Sequence, residues 1–140
     1  MSILKKETIV TSLVFCFLIL AVFLSIKIVY QNYREGKLLL NGRVLCSQVM
    51  NASITYYKNT GKYLVNDKVS VNEEYPIDAR TNPYFSIFST YPIDENTQGI
   101  SVFGNIDGTE YELKAVFNKE DEPQSLKNIK IQTIKHKKNK

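Results

Sequence analysis

The sequence predicts an α+β chain, in which one long N-terminal helix, about residues 8–60, packs on a small antiparallel sheet of three to four strands. Three observations predict it. From Thr8 to Ile26, nineteen consecutive residues carry no charge. From Leu38 to Tyr56, apolar positions recur every three or four residues, the period of a helix face. After Gly99, apolar residues alternate with polar ones, the period of a strand. With 140 residues there is room for one such domain.

The charge is divided unevenly. Residues 1–40 hold five basic and two acidic side chains, residues 41–126 hold seven and twelve, and the last fourteen hold six lysines and no acid. The net charge of +4 therefore describes an acidic body between two basic ends, not a nucleic-acid-binding domain. Plentiful aliphatic and aromatic residues exclude a wholly disordered chain. Two cysteines, one of them inside the apolar run, exclude a disulfide scaffold.

Nineteen helical residues span about 28 Å, close to the thickness of a bilayer hydrocarbon core. Backbone groups in lipid must satisfy one another, so a single crossing has to be helical. A cleaved secretory signal is the rival reading, with Lys5 and Lys6 as its basic start. The run is too long for one, and no small-x-small cleavage site follows it. Cys16, preceded by Phe15, does not fit a lipoprotein signal and reads as a small apolar residue of the helix. Orientation stays open on charge counting, because Lys27, Arg34 and Lys37 balance Lys5 and Lys6.

No proline interrupts residues 1–75, so the helix can continue beyond the membrane. Its soluble half presents the stripe Leu38, Gly42, Leu45, Val49, Ala52 and Tyr56, and Gly61 suits the left-handed residue after a helix end. Cys46, one residue past the stripe, reads as a partly buried free thiol, with an intermolecular bridge as its alternative. Residues 61–98 hold Pro76, Pro83 and Pro92 and read as a loop, with Tyr84–Ser89 as a short strand inside it. The tetrapeptide Tyr-Pro-Ile-Asp, at 75–78 and 91–94, is too short to define a repeat.

The sheet occupies residues 99–134. Ile100, Val102 and Ile106 form one strand, Asp107-Gly108 is a hairpin turn signal, and Tyr111, Leu113, Ala115 and Phe117 form the next. Leu126, Ile129, Ile131 and Thr133 make the last. One face of this sheet is apolar, and the helical stripe is the available cover. The expected head core is Leu45, Val49, Ala52, Tyr56, Val102, Leu113 and Phe117.

In this order and spacing the chain resembles type IV pilins and the pseudopilins of type II secretion. The resemblance covers most of the chain. It is carried by Tyr30-Gln31-Asn32-Tyr33-Arg34 at the emergence from the membrane and by Tyr56-Tyr57-Lys58-Asn59-Thr60-Gly61-Lys62-Tyr63 at the helix end. Asp78-Ala79-Arg80-Thr81-Asn82-Pro83-Tyr84-Phe85 is similar to a turn common in pseudopilins. The resemblance implies a cytoplasmic N-terminus (1–7), a transmembrane helix (8–29), a pilin-like head outside the bacterial inner membrane (30–134, its helix running 30–60) and a basic tail (135–140). It implies assembly with other pilin subunits through the helix, on an inner-membrane platform, into a pilus or pseudopilus.

The departures from that family bear on mechanism. In its register Lys6 stands for the Gly of the cleavage junction and Glu7 for the Phe. Thr8 matches a common Thr, while Thr11 replaces the Glu that neutralises a neighbouring subunit's new amine. Ile28 stands for a frequent Pro. A charge in lipid is costly unless paired, so losing the Gly and the Glu together is self-consistent. The expectation is an unprocessed accessory subunit, with Glu7, Thr11, Ser12, Tyr30 and Tyr33 as its assembly and membrane-interface residues. The reading from another class is a single-pass sensor or adaptor whose head binds a ligand or partner.

Catalytic and metal signals are absent from the sequence. The one histidine, His136, sits in the lysine tail, so no Ser-His-Asp set or transition-metal spacing can be built around it. No enzyme activity and no cofactor are expected. The one oxygen-rich cation set is Asp94, Glu95 and Asp107, as a calcium site in the head loops. The lysine tail invites a nucleic-acid or an anionic-lipid reading; it lacks interleaved aromatics, so membrane lipid and not nucleic acid is the expected partner.

Overall fold

The computed structural model describes residues 2–70 and 84–136. The chain forms two compact units, Met1–Gly36 and Lys37–Lys140. One helical element, α1, runs Ile3–Thr60. It begins five residues before the expected start, because nothing among residues 3–7 opposes a helix. It ends at the expected place. Gly61 takes φ 69° and donates its N–H to the Tyr57 carbonyl at 2.7 Å, which closes the last turn.

The head is a five-stranded meander, β1 Asn66–Ser70, β2 Phe85–Pro92, β3 Thr97–Ile106, β4 Thr109–Asn118 and β5 Gln132–His136. The spatial order follows the chain order, and every neighbouring pair is antiparallel. The β3–β4 turn is Asp107-Gly108, with φ of 53° and 82°, and the Asn105 side chain accepts the Gly108 N–H at 2.8 Å. Positive φ at both central residues matches the right-handed twist of the flanking strands.

Three expectations about the sheet need correction. There are five strands; β1 lies in the region read as loop, and β2 takes the place of the short strand expected at Tyr84–Ser89 and extends it to Pro92. Strand β1 is polar and bulged, with Lys68 at φ 45° and a register shift between Asn66 and Val69, so it shows no two-residue period. The last strand is Gln132–His136. Leu126–Asn128 form a 3-10 turn, and Ile129 and Ile131 lie between the two. As an edge strand β5 needs only backbone pairing with β4, and its side chains are mostly exposed. Lys135 and His136, read as tail, belong to β5, while 137–140 lie outside the described residues, as does the motif Asp78–Pro83.

Helix and sheet share one core. Leu45, Cys46, Val49, Met50 and Ile54 of α1 are buried against Phe85, Phe88, Ile100, Val102, Tyr111, Leu113, Ala115 and Phe117. Leu45, Val49, Val102, Leu113 and Phe117 are each 1 % exposed or less. Ala52 is half-buried and Tyr56 is 40 % exposed, so the end of the expected stripe is not core. A strict seven-residue repeat drifts about 20° per heptad on a straight helix. Two heptads past Gly42, Tyr56 has turned away, and Met50, Ser53 and Ile54 take the inner face.

Phe85 is the wedge between the layers. A Cβ on Gly42 of the helix would lie 2.9 Å from its ring, and a Cβ on Gly104 of β3 would lie 2.3 Å from it. The ring therefore occupies the space both glycines leave. At the other end of the head, Tyr63 stacks on Tyr57 with ring centroids 4.8 Å apart and meets Phe117 edge-on at 6.4 Å. Asn51 clips the segment after β4 onto the helix. Its amide donates to the Gln124 carbonyl at 2.9 Å and accepts the Gln124 N–H at 3.0 Å.

Candidate functional site

Two surfaces carry the chemistry. The first is the N-terminal part of α1. Between Ile3 and Tyr33 the large apolar side chains are exposed, Phe17 by 73 % and Phe23 by 66 %. This is the one helix, among the described residues, long and apolar enough to cross a membrane. Three of its hydroxyls are satisfied by the helix itself. Thr8, Thr11 and Ser25 each donate to the carbonyl four residues earlier at 2.8 Å, so they cost little in an apolar medium. Glu7, Thr11, Ser12, Tyr30 and Tyr33 are all exposed on this element.

The second surface is the sheet face turned away from the helix. A groove of about 570 Å³ is lined there by Lys68, Ile87, Phe103, Glu110, Glu112 and His136, among others. Strand alternation puts these side chains outside while Val102, Tyr111 and Leu113 point to the core. Glu112 sits between His136 and Lys114. Its Oε2 is 3.3 Å from His136 Nε2 and its Oε1 is 3.4 Å from Lys114 Nζ. Lys68 Nζ lies 5.4 Å above the Phe103 ring. The groove is thus a mixed surface, with Lys68, Glu110, Glu112 and His136 around an apolar floor of Ile87 and Phe103.

The proposed calcium set does not come together. Asp94 and Glu95 precede β3 and Asp107 follows it, so a ten-residue strand of roughly 33 Å separates them. Asp94 instead accepts the Asn96 N–H at 2.8 Å within its own turn. Among the described residues no three His, Cys, Asp or Glu side chains are grouped to hold a metal ion.

Cys46 is fully buried rather than partly so, and burial pushes its thiol up to about 12. Sequence reasoning missed Phe85, Phe88 and the Asn51 clip. Phe85 and Phe88 both face inward from β2 despite a spacing of three, because the β2–β3 register shifts between Phe85 and Ile87. No family model, no curated protein and no solved structure matches this chain.

Proposed function

We propose that this chain is a membrane-anchored structural subunit of a type IV pilus or a type II secretion-like pseudopilus, assembling through the first half of α1. The observation that supports it is the division of labour on one helical element. Residues 8–26 expose an uncharged apolar surface, while Gly42, Leu45, Cys46, Val49, Met50 and Ile54 are buried as a wall of the head's core. Lipid tails are as apolar as leucine, so a helix of this kind can exchange lipid for neighbouring helices at small cost. Assembly then depends on shape and close packing. In this reading the N-terminus is cytoplasmic, the head lies outside the membrane, and Lys6 and Thr11 leave the chain unprocessed.

The groove on the outer sheet face supports the other reading, a single-pass sensor or adaptor whose head binds a ligand. One experiment separates the two. A photo-crosslinking residue at Val14 or Phe17 is introduced into the chain in its native host, and surface filaments are sheared and recovered. Crosslinks to filament subunits, with the chain in the sheared fraction, are the expected result. A chain that stays in the membrane and crosslinks to no other subunit would refute the filament reading. Mass spectrometry of the recovered protein reads its N-terminus directly, and a mature start at Glu7 would overturn the unprocessed state.

A further inference from the structure

We infer that the free edge of β5, Gln132–His136, is a docking edge for an extended acidic segment of a different polypeptide, which adds beside it as a sixth strand. The inference concerns the head alone and holds whether or not the chain enters a filament.

The two edges of the sheet are built differently. The β1 edge is closed to a further strand. Its ladder slips between Asn66 and Val69, and Lys68 takes φ 45° there while donating its N–H to the Ser89 hydroxyl at 2.8 Å. A bulge of this kind breaks the even row of donors and acceptors that a new strand needs. The β5 edge is regular. Its five residues pair with residues 110–114 of β4 without a register shift. Alternate residues of such a strand turn both their N–H and their C=O away from the sheet. Among the described residues no strand lies on that side.

Edge strands are ordinarily guarded by charged side chains, lysine above all. The charges of β5 are turned elsewhere. Lys135 holds its ammonium 5.7 Å from the centre of the Tyr111 ring, and Tyr111 is its partner on β4. His136 Nε2 lies 3.3 Å from Glu112 Oε2, also on β4. Both side chains fold back over the neighbouring strand, which leaves the outer rim of β5 to its backbone.

Charge then selects the occupant. From Pro123 to His136 the chain carries Lys127, Lys130 and Lys135 and no acid. Lys127 and Lys130 are exposed and come just before the strand. An antiparallel addition, which continues the meander, sets the C-terminal end of the incoming strand beside Gln132 and these lysines. Carboxylates at that end gain ion pairs, and basic groups meet repulsion. The same charge disfavours a second copy, since two β5 strands side by side bring two basic flanks together and the β1 edge offers no regular row. Backbone pairing supplies the affinity and the acidic end supplies the preference.

The test uses the full chain in detergent micelles and a synthetic probe, acetyl-Thr-Val-Thr-Val-Thr-Glu-Glu-amide. Amide hydrogen exchange followed by NMR reads the chain residue by residue. Protection is expected to rise at alternate residues of β5, the ones that face the edge. A counterpart with lysines in place of the glutamates binds about tenfold more weakly, and added salt narrows the gap. Two N-methylated versions of the probe give the signature of strand addition. Methyl groups on one alternate set of amides abolish binding and on the other set leave it unchanged, because an added strand bonds through one of its edges. Absence of protection at β5, protection in the Ile87 and Phe103 groove instead, equal binding of the acidic and lysine probes, or equal loss from both N-methylated sets would overturn the inference. Concentration-dependent protection of β5 without any probe would assign the edge to a second copy. Displacement of the probe by an equal amount of duplex DNA would assign the lysines to nucleic acid, and either result would equally overturn it. Crosslinking through Val14 or Phe17 is decided separately, so the subunit reading can fail while the docking edge stands, or the reverse.

Discussion

Gly42→Ala gives the sharpest test of how the helix meets the sheet, because two effects of known sign oppose each other there. Alanine for glycine inside a helix contributes about 1 kcal/mol of stability. The new methyl would lie 2.9 Å from the Phe85 ring, which is too close. The ring cannot withdraw, since it already fills the space over Gly104, where a Cβ would lie 2.3 Å away. Overpacking a fully buried site costs roughly 1–3 kcal/mol, so the net effect is a loss of about 1 kcal/mol. The contacts are all to ring carbons that valine lacks. In a Phe85→Val background the same Gly42→Ala change becomes stabilising by about 1 kcal/mol, a coupling of about 2 kcal/mol. Gly36→Ala is the internal control, because a Cβ there meets nothing within 4 Å and the propensity gain appears alone. Urea unfolding of the full chain in detergent, followed by tyrosine circular dichroism, reads all four variants. Nine tyrosines and no tryptophan make that signal the natural one. Stabilisation by Gly42→Ala in the parent chain would refute the wedge.

Three further predictions follow from the head. Cys46 stays unmodified by water-soluble maleimides in the folded chain. Below about pH 9 its thiol is protonated whether folded or unfolded, so its contribution to stability is fully present. As pH rises from 9 toward 12 only the unfolded thiol ionises, and stability falls by about 1.4 kcal/mol per pH unit. Cys46→Ala should remove that part of the alkaline slope, and an unchanged slope would disprove its burial. Asn51→Ala deletes two hydrogen bonds and should cost about 2 kcal/mol. Amide exchange at Gln124 should accelerate selectively, and uniform acceleration would show that Asn51 is not a local clip. Gly108→Ala forces a side chain into φ 82° and should cost roughly 1–2 kcal/mol, read as a lower urea midpoint. A midpoint equal to the parent's would mean that the turn does not need the glycine.

Some of this architecture is local and therefore legible along the chain. The uncharged run Thr8–Ile26, the closing Gly61 and the Asp107-Gly108 turn depend on near neighbours, and all three are found in place. The alternation Tyr111, Leu113, Ala115 and Phe117 marks β4 because its whole inner face is buried. Strands β1 and β5 carry no such pattern. Each pairs by backbone at a sheet edge, where polar and charged side chains serve as well as apolar ones.

The apolar run and the two-residue period by themselves determined that this chain has a greasy helix and a sheet needing a cover. Which helical face serves as that cover was decided only by tertiary contact. A spacing of three and four cannot distinguish Ala52 and Tyr56 from Met50 and Ile54, since a real helix turns away from a seven-residue repeat. The docking of Phe85 into the gap shared by Gly42 and Gly104 lay equally beyond the sequence. Close packing is a property of volumes meeting in space, and residues far apart along the chain do not record how their empty spaces will coincide.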